Sequence, residues 1–233
     1  MRVLPLLIFL GCLSMSMVEA AESARDDLYP EIREYLAQSA DEFDEIPVER
    51  KLVLEKLAAY VRQCVSEGRP AQLTFICTHN SRRSHFAQIW AQIASSYYGV
   101  ENVIAYSGGT EATAFNPRTA AALERCGVRF SVAEASDANP HYAVTFEENG
   151  TPLIGFSKIF NTPPNPVRGY CAIMTCSQAD EACPTAPGCD LRIAVPYEDP
   201  KVSDGTLQEA ATYDDRCKQI AREMLYMMSV VGK

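Results

Sequence analysis

Leu73-Thr74-Phe75-Ile76-Cys77-Thr78-His79-Asn80-Ser81-Arg82-Arg83-Ser84 sets the strongest constraint on this chain. An apolar, β-branched run leads into a cysteine, then a short polar loop, then a segment of helical periodicity. The spacing is Cys-x5-Arg-Ser. A loop feeding a helix N-terminus aims several backbone N–H groups into one small space. Successive loop amides form an anion-binding concavity, and their potential favours the thiolate form of a cysteine at its mouth. Arg83 adds a planar fork that matches two oxygens of a tetrahedral oxyanion. Asn80 tolerates the left-handed backbone that a tight cradle needs. Ser81 and Ser84 offer hydroxyls to the loop or to Cys77. The pattern predicts a site that grips an oxyanion with residues 78–84 and attacks it with the sulfur of Cys77. His79 reads as a solvent-facing or supporting group.

The flanking pattern predicts an α/β fold, a three-layer sandwich around a central parallel sheet. Residues 72–76 read as the first strand, 83–98 as a helix and 103–107 as the second strand. Gly108-Gly109-Thr110 reads as a turn. Asn116-Pro117 places an N-cap before proline at the first helical position. Runs 142–146 and 152–156, with Asn149-Gly150 between them, predict a hairpin. Residues 170–175 and 192–196 read as core strands and 207–230 as a C-terminal helix. Upstream, residues 21–70 read as a helical extension packed on a catalytic domain at 71–233. Val48, Leu52, Leu54, Leu57, Ala58 and Val61 are expected to form the inner stripe of its longer helix.

Residues 1–20 read as a secretory signal: Arg2, an apolar core at 3–10, and small residues before Ala21. Export to a periplasm or the cell exterior follows; a misread signal leaves the chain cytoplasmic. No other segment has the length and apolarity of a membrane span. The net charge of −9 argues against nucleic-acid and anionic-membrane partners. The positive field for an anion is therefore made locally. Of nine cysteines, eight remain once the leader is removed, and an even count in an exported chain suggests structural disulfides. Which of Cys64, Cys126, Cys171, Cys189 and Cys217 would pair is left open. Cys176 and Cys183 stand seven apart. As a helix that is about 10 Å, too far for a disulfide without rearrangement. The pair is either a redox switch or two members of separate bridges. His85 and His141, with scattered cysteines, show no metal-ligand spacing, so neither a metal nor a bound cofactor is expected.

The Cys-x-x-Asn-Ser-x-Arg-Ser wording of residues 77–84 resembles the low-molecular-weight tyrosine phosphatase superfamily. Residues from 72 onward are most similar to its thioredoxin-coupled arsenate reductases. Those enzymes carry a cysteine at the end of a core strand and another shortly after, in wording like Thr175-Cys176-Ser177-x-Ala179-Asp180-x-x-Cys183-Pro184. The resemblance implies that Cys176 and Cys183 are resolving cysteines. It implies that Asp199, in Pro196-Tyr197-Glu198-Asp199-Pro200 after the last strand, is the general acid. The expected activity is reduction of arsenate to arsenite through a Cys77–Cys176–Cys183 relay, with a thioredoxin-like dithiol as partner. A phosphatase acting through a phosphocysteine is the alternative. Lys201-Val202 stand where phosphatases often carry tyrosines for an aryl substrate. A non-enzymatic oxyanion-binding or redox-sensing protein is the third reading.

Overall fold

The computed structural model describes residues 26–182 and 185–231. Residues 1–20, where a leader is expected, and Cys183 lie outside them. In chain order, α1 (Pro30–Asp41) and α2 (Val48–Ser66) precede β1 (Ala71–Cys77), α3 (Arg83–Tyr98), β2 (Val103–Gly109) and α4 (Pro117–Arg125). There follow β3 (Arg129–Glu134), β4 (His141–Thr145), β5 (Leu153–Gly155), β6 (Tyr170–Met174), α5 (Ser177–Ala182), β7 (Cys189–Ala194), a 3-10 turn (Pro200–Ser203) and α6 (Glu209–Val231).

The central sheet runs β2-β1-β6-β7, with every neighbouring pair parallel. From β1 the chain passes to β2 on one side and later to β6 on the other. The carboxyl end of β1 is therefore a topological switch point, where open α/β sheets leave a crevice. Side chains alternate across the sheet. Leu73, Phe75, Cys171 and Ile173 enter a large core with Trp90, Leu123, Ile220 and Met224. Ile76, Cys77, Tyr170, Ala172 and Met174 face the other way, against Phe160, Cys176, Ala179 and Ala186. The first face is covered by long helices. The second is covered by the short helix α5 and irregular chain.

The upstream helices share the large core: Ile32, Leu36, Leu54, Leu57 and Val61 are fully buried in it. Tyr35 stacks on Trp90, ring centroids 5.2 Å apart. Pro30 takes the first helical position of α1, where its missing N–H has no cost. The inner stripe of α2 is narrower than expected, for Val48 and Leu52 are 68% and 55% exposed. At about 100° per residue they lie on the side of the helix away from Leu54, Leu57 and Val61. Among the described helices none is long and apolar enough to cross a membrane.

Two more features differ from the sequence reading. β3 pairs antiparallel with β4, and β4 with β5, as a separate three-stranded sheet. The expected hairpin is present, but its pairing stops at Val144 and Leu153. The intervening loop is not a two-residue turn because its backbone is used elsewhere: Tyr29 N–H donates to Phe146 O, and Glu148 N–H to Asp27 O. Gly108 and Gly109 end a strand rather than form a turn. A Cβ on Gly109 would stand 2.7 Å from Asn80 N and Thr78 O. Glycine there lets the loop after Cys77 lie directly on β2.

Candidate active site

Parallel register decides which groups meet at the switch point. Cys77, the last residue of β1, is level with Gly109 of β2, and Ile76 with Met174 of β6. Two residues further along each chain, Thr78 and Cys176 come together, with Thr78 Oγ1 3.5 Å from Cys176 Sγ. Thr175 N–H and Oγ1 both donate to Ile76 O, at 2.7 and 2.9 Å, which locks this alignment. β7 continues in the same sense. Val195 N–H reaches Met174 O and Tyr197 N–H reaches Thr175 O. That path carries residues 197–199 across the start of α3.

The loop itself is tightly tied. Asn80 has φ 44°, the left-handed conformation its residue type accepts. Its Oδ1 accepts the backbone N–H of Lys158 at 2.9 Å. A backbone amide can only donate, so the other side-chain atom of Asn80 is Nδ2, and it donates to Ser84 Oγ at 2.8 Å. Ser84 Oγ also lies 3.1 Å from Cys77 Sγ, so Asn80 orients Ser84, and the Ser84 hydroxyl is placed to donate to the cysteine in its thiolate form, which can only accept. The loop also sits at the N-terminus of α3, which begins at Arg83, so the first-turn amides lie beside it.

Arg83 is buried, with NH1 donating to Tyr197 O at 3.1 Å and NH2 to Asp199 Oδ2 at 2.9 Å. The other oxygen of Asp199 accepts from Lys201 N, capping the 3-10 turn at Pro200–Ser203. Proline at the first position of that turn restricts its backbone and sets the direction of the carboxylate. The remaining loop side chains face the scaffold or solvent. Ser81 Oγ donates to Ala114 O. Arg82 Nε donates to Tyr213 OH at 2.8 Å, and Tyr213 OH donates to Asp204 Oδ1. His79 is half-exposed, 3.8 Å from Glu111. Ser81 therefore has only its backbone N–H to offer an anion in this arrangement, while the Arg82 guanidinium also lies 4.0 Å from Asp199 Oδ1.

Three supporting residues had no sequence signal. His85 is fully buried beneath the loop, its Nε2 2.9 Å from Asn80 O and its Nδ1 3.1 Å from Ser107 Oγ. Burial, helped by the nearby Lys158 ammonium, pushes His85 well below its ordinary pKa. A neutral ring facing a carbonyl must carry its proton on Nε2, so Nδ1 accepts from Ser107. Lys158 is itself buried and pushed down to about 8 by desolvation. Gly109 N–H donates to Lys158 O, so this residue joins β2 to the Asn80 side chain. Tyr213 brings α6 to the loop from 131 positions away. Among the described residues no group of three or more His, Cys, Asp or Glu side chains is arranged to hold a metal ion.

This geometry has relatives. Arsenate reductase of Bacillus subtilis (strain 168) is 28% identical over 159 residues, 68% of this chain and 95% of the relative. Arsenate reductase of Bacillus licheniformis is 26% identical over 160 residues, again 68% and 95%. The chain is similar to arsenate reductases. No family model matches it. Among solved structures, a low-molecular-weight protein tyrosine phosphatase from T. tengcongensis overlays 68% of this chain and 98% of its own, at 13% identity and TM-score 0.44. One from Vibrio cholerae O395 overlays 68% and 95%, at 12% and 0.44. Those superpositions carry no argument by themselves. The likeness to arsenate reductases supports an enzyme of the arsenate-reductase type.

Proposed function

We propose that this arsenate-reductase relative reduces arsenate with Cys77 as nucleophile and Cys176 as the first resolving thiol. The observation that carries the reading is the position of Cys176. It is fully buried, at the second residue of the oxyanion loop, with Thr78 Oγ1 3.5 Å away and the Ala179 N–H donating to its sulfur at 3.3 Å. A phosphatase has no use for a second thiol there.

In the proposed reaction the loop amides and Arg83 hold arsenate. The thiolate of Cys77 attacks arsenic. Asp199 gives a proton to one oxygen, which departs as water and leaves a Cys77–S–As(V) adduct. Cys176 then attacks the sulfur of Cys77. The S–As electron pair passes to arsenic, arsenite departs, and a Cys77–Cys176 disulfide forms. Cys183 attacks Cys176, frees Cys77 and leaves Cys176–Cys183. An external thioredoxin-like dithiol reduces that bond, taking up the disulfide itself. The chain thus needs a supply of reducing dithiol wherever it resides, and the leader expected at residues 1–20 makes an exported donor the matching partner.

The phosphatase reading rests on one observation of its own. Cys77, Arg83 and the paired Asp199 are all in place without Cys176. One experiment separates the two: arsenate-dependent oxidation of thioredoxin, measured beside aryl-phosphate hydrolysis, on wild type and Cys176→Ser. Reduction lost with hydrolysis intact supports the relay. Reduction unchanged in Cys176→Ser, or absent from wild type while hydrolysis is brisk, sinks it.

A further inference from the structure

A second pair of cysteines lies away from the loop, in the helical core. Cys126 caps the C-terminus of α4, and Cys217 is in the middle of α6. They are 91 positions apart, yet their sulfurs are 3.8 Å from each other. Both are unbonded thiols and both are buried. The helices that carry them are clamped just beside the pair. Arg125 makes a two-pronged bond to Asp214, with Nε at 2.9 Å and NH2 at 2.5 Å from the same carboxylate oxygen. Trp90 Nε1–H donates to Cys217 Sγ at 3.2 Å. Neither sulfur belongs to the cluster that contains Cys77 and Cys176, which lies on the other face of the sheet.

We infer that Cys126 and Cys217 are a disulfide site that bolts α4 to α6 behind the oxyanion loop, separate from the relay cysteines. A disulfide needs sulfurs about 2.05 Å apart. The gap of under 2 Å is within reach of a side-chain rotation while the Arg125–Asp214 clamp holds the backbones. The two thiols are also unequal. The contact from Cys217 lowers the pKa of Cys126, whereas burial raises that of Cys217 well above its usual value. Cys126 also has the greater exposure, so it reacts first. Its thiolate attacks an oxidant disulfide (oxidised glutathione or an exported dithiol oxidase), forming a mixed disulfide and releasing one thiol. Cys217 then attacks Cys126 sulfur and expels the second thiol, which takes the Cys217 proton. Two protein thiols are oxidised and one oxidant disulfide is reduced to two thiols. The bond would brace the loop at second hand. Tyr213, one turn before Cys217, is the residue that holds Arg82.

The test uses the full chain carrying Cys77→Ser, so that loop chemistry does not shuffle disulfides. It is treated with oxidised glutathione, blocked with an alkylating agent and mapped by non-reducing peptide mass spectrometry. The expected product is a Cys126–Cys217 cross-linked peptide. Oxidation should raise Tm by about 5–15 °C for a loop of this length. The increment should disappear in Cys126→Ala and in Cys217→Ala, each read against its own reduced baseline. Both thiols alkylated, Cys126 recovered only as a glutathione adduct, or an increment that survives in Cys126→Ala would each overturn the inference. None of these results depends on whether the chain reduces arsenate.

Discussion

Cys77 and Cys176 approach the same Thr78 residue, but their surroundings are built differently. The loop after Cys77 is tied from every side. Thr78 O accepts from Glu111 N–H and Thr110 Oγ1, His79 O from Ser157 Oγ and Thr113 Oγ1, and Asn80 reaches both Ser84 and Lys158. Cys176 precedes a six-residue helix on the thinly covered face of the sheet. Its sulfur is met by the Thr78 hydroxyl and the Ala179 amide. The difference fits two kinds of step. Attack on an oxyanion gains from a nucleophile fixed in place. A resolving sulfur must leave its hydrogen bonds and travel, so it belongs on a segment that opens at low cost.

The largest expected effect falls on the fixed side. Cys77→Ser should lower both arsenate reduction and aryl-phosphate hydrolysis by roughly 10⁴-fold or more, as loss of a nucleophile does elsewhere. Circular dichroism should remain native, since Ser84 finds a hydroxyl partner in place of a thiol. Retention of either activity within tenfold would remove Cys77 from the mechanism and dissolve the comparison.

Asp199→Asn comes next. An amide keeps the shape and can still accept from Lys201 N–H, but it has no proton to give the departing oxygen. We expect kcat to fall by about 10²–10⁴-fold for either substrate, with a smaller change in KM. The partner of Arg83 becomes neutral, and a KM effect larger than the kcat effect would recast Asp199 as a residue that merely holds Arg83.

Lys158 tests the scaffold under the loop through pH. Its folded pKa of about 8 lies below the ordinary lysine value of 10.5 because burial disfavours the charge. Between those values the unfolded chain binds more protons than the folded one, so stability rises with pH over that window. Below about pH 8 the full penalty is present. Lys158→Met should therefore stabilise the protein at pH 7 by about 3 kcal/mol from the pKa difference, less what is lost with the ammonium over the Phe156 ring and its hydrogen bond to Phe156 O. The gain should shrink as pH is raised towards 10. Urea unfolding at pH 7 and pH 10 reads both quantities, and a pH-independent gain would mean that packing rather than charge is responsible.

Lys158 also marks where sequence reading stops. Cys77, Arg83 and Ser84 were legible because their relation is local: strand, loop and helix follow one another within twelve residues. The helix at Arg83–Tyr98 was legible at both ends, where Gly99 takes the left-handed position after it. The cap at Asn116 was legible too, and its side chain accepts from Arg118 N–H. Asp199 was singled out through the resemblance, from its Asp-Pro wording after the last strand, and not from the residues alone. Lys158, His85 with Ser107, and Tyr213 could not be placed, since each meets its partner across the fold. β3 went unseen because five of its six residues are exposed, so it lacks the alternating apolar pattern of a half-buried strand, although its partner β4 is the next strand in the chain. The outward positions of Val48 and Leu52 were misread because apolar residues at helical spacing do not by themselves say which face is inside.

The smallest effect addresses the other half of the comparison. Asp180, in α5, accepts from Arg192 of β7 at 2.5 Å, and Arg192 also donates to Asp180 O. The carboxylate is 37% exposed, so water screens the pair and its contribution is at most about 1 kcal/mol. Asp180→Ala should leave global unfolding nearly unchanged but let α5 open more often. Hydrogen exchange at amides 177–182 should quicken by about 2–5-fold, the factor corresponding to about 0.5–1 kcal/mol, while amides 77–84 keep their protection. In single-turnover arsenate reduction, formation of the Cys77–Cys176 bond should hold its rate or quicken, and hydrolysis should not respond. If the loop amides also exchange faster, the two thiols share one cooperative unit. The division of labour between a fixed attacking sulfur and a mobile resolving one would then be wrong.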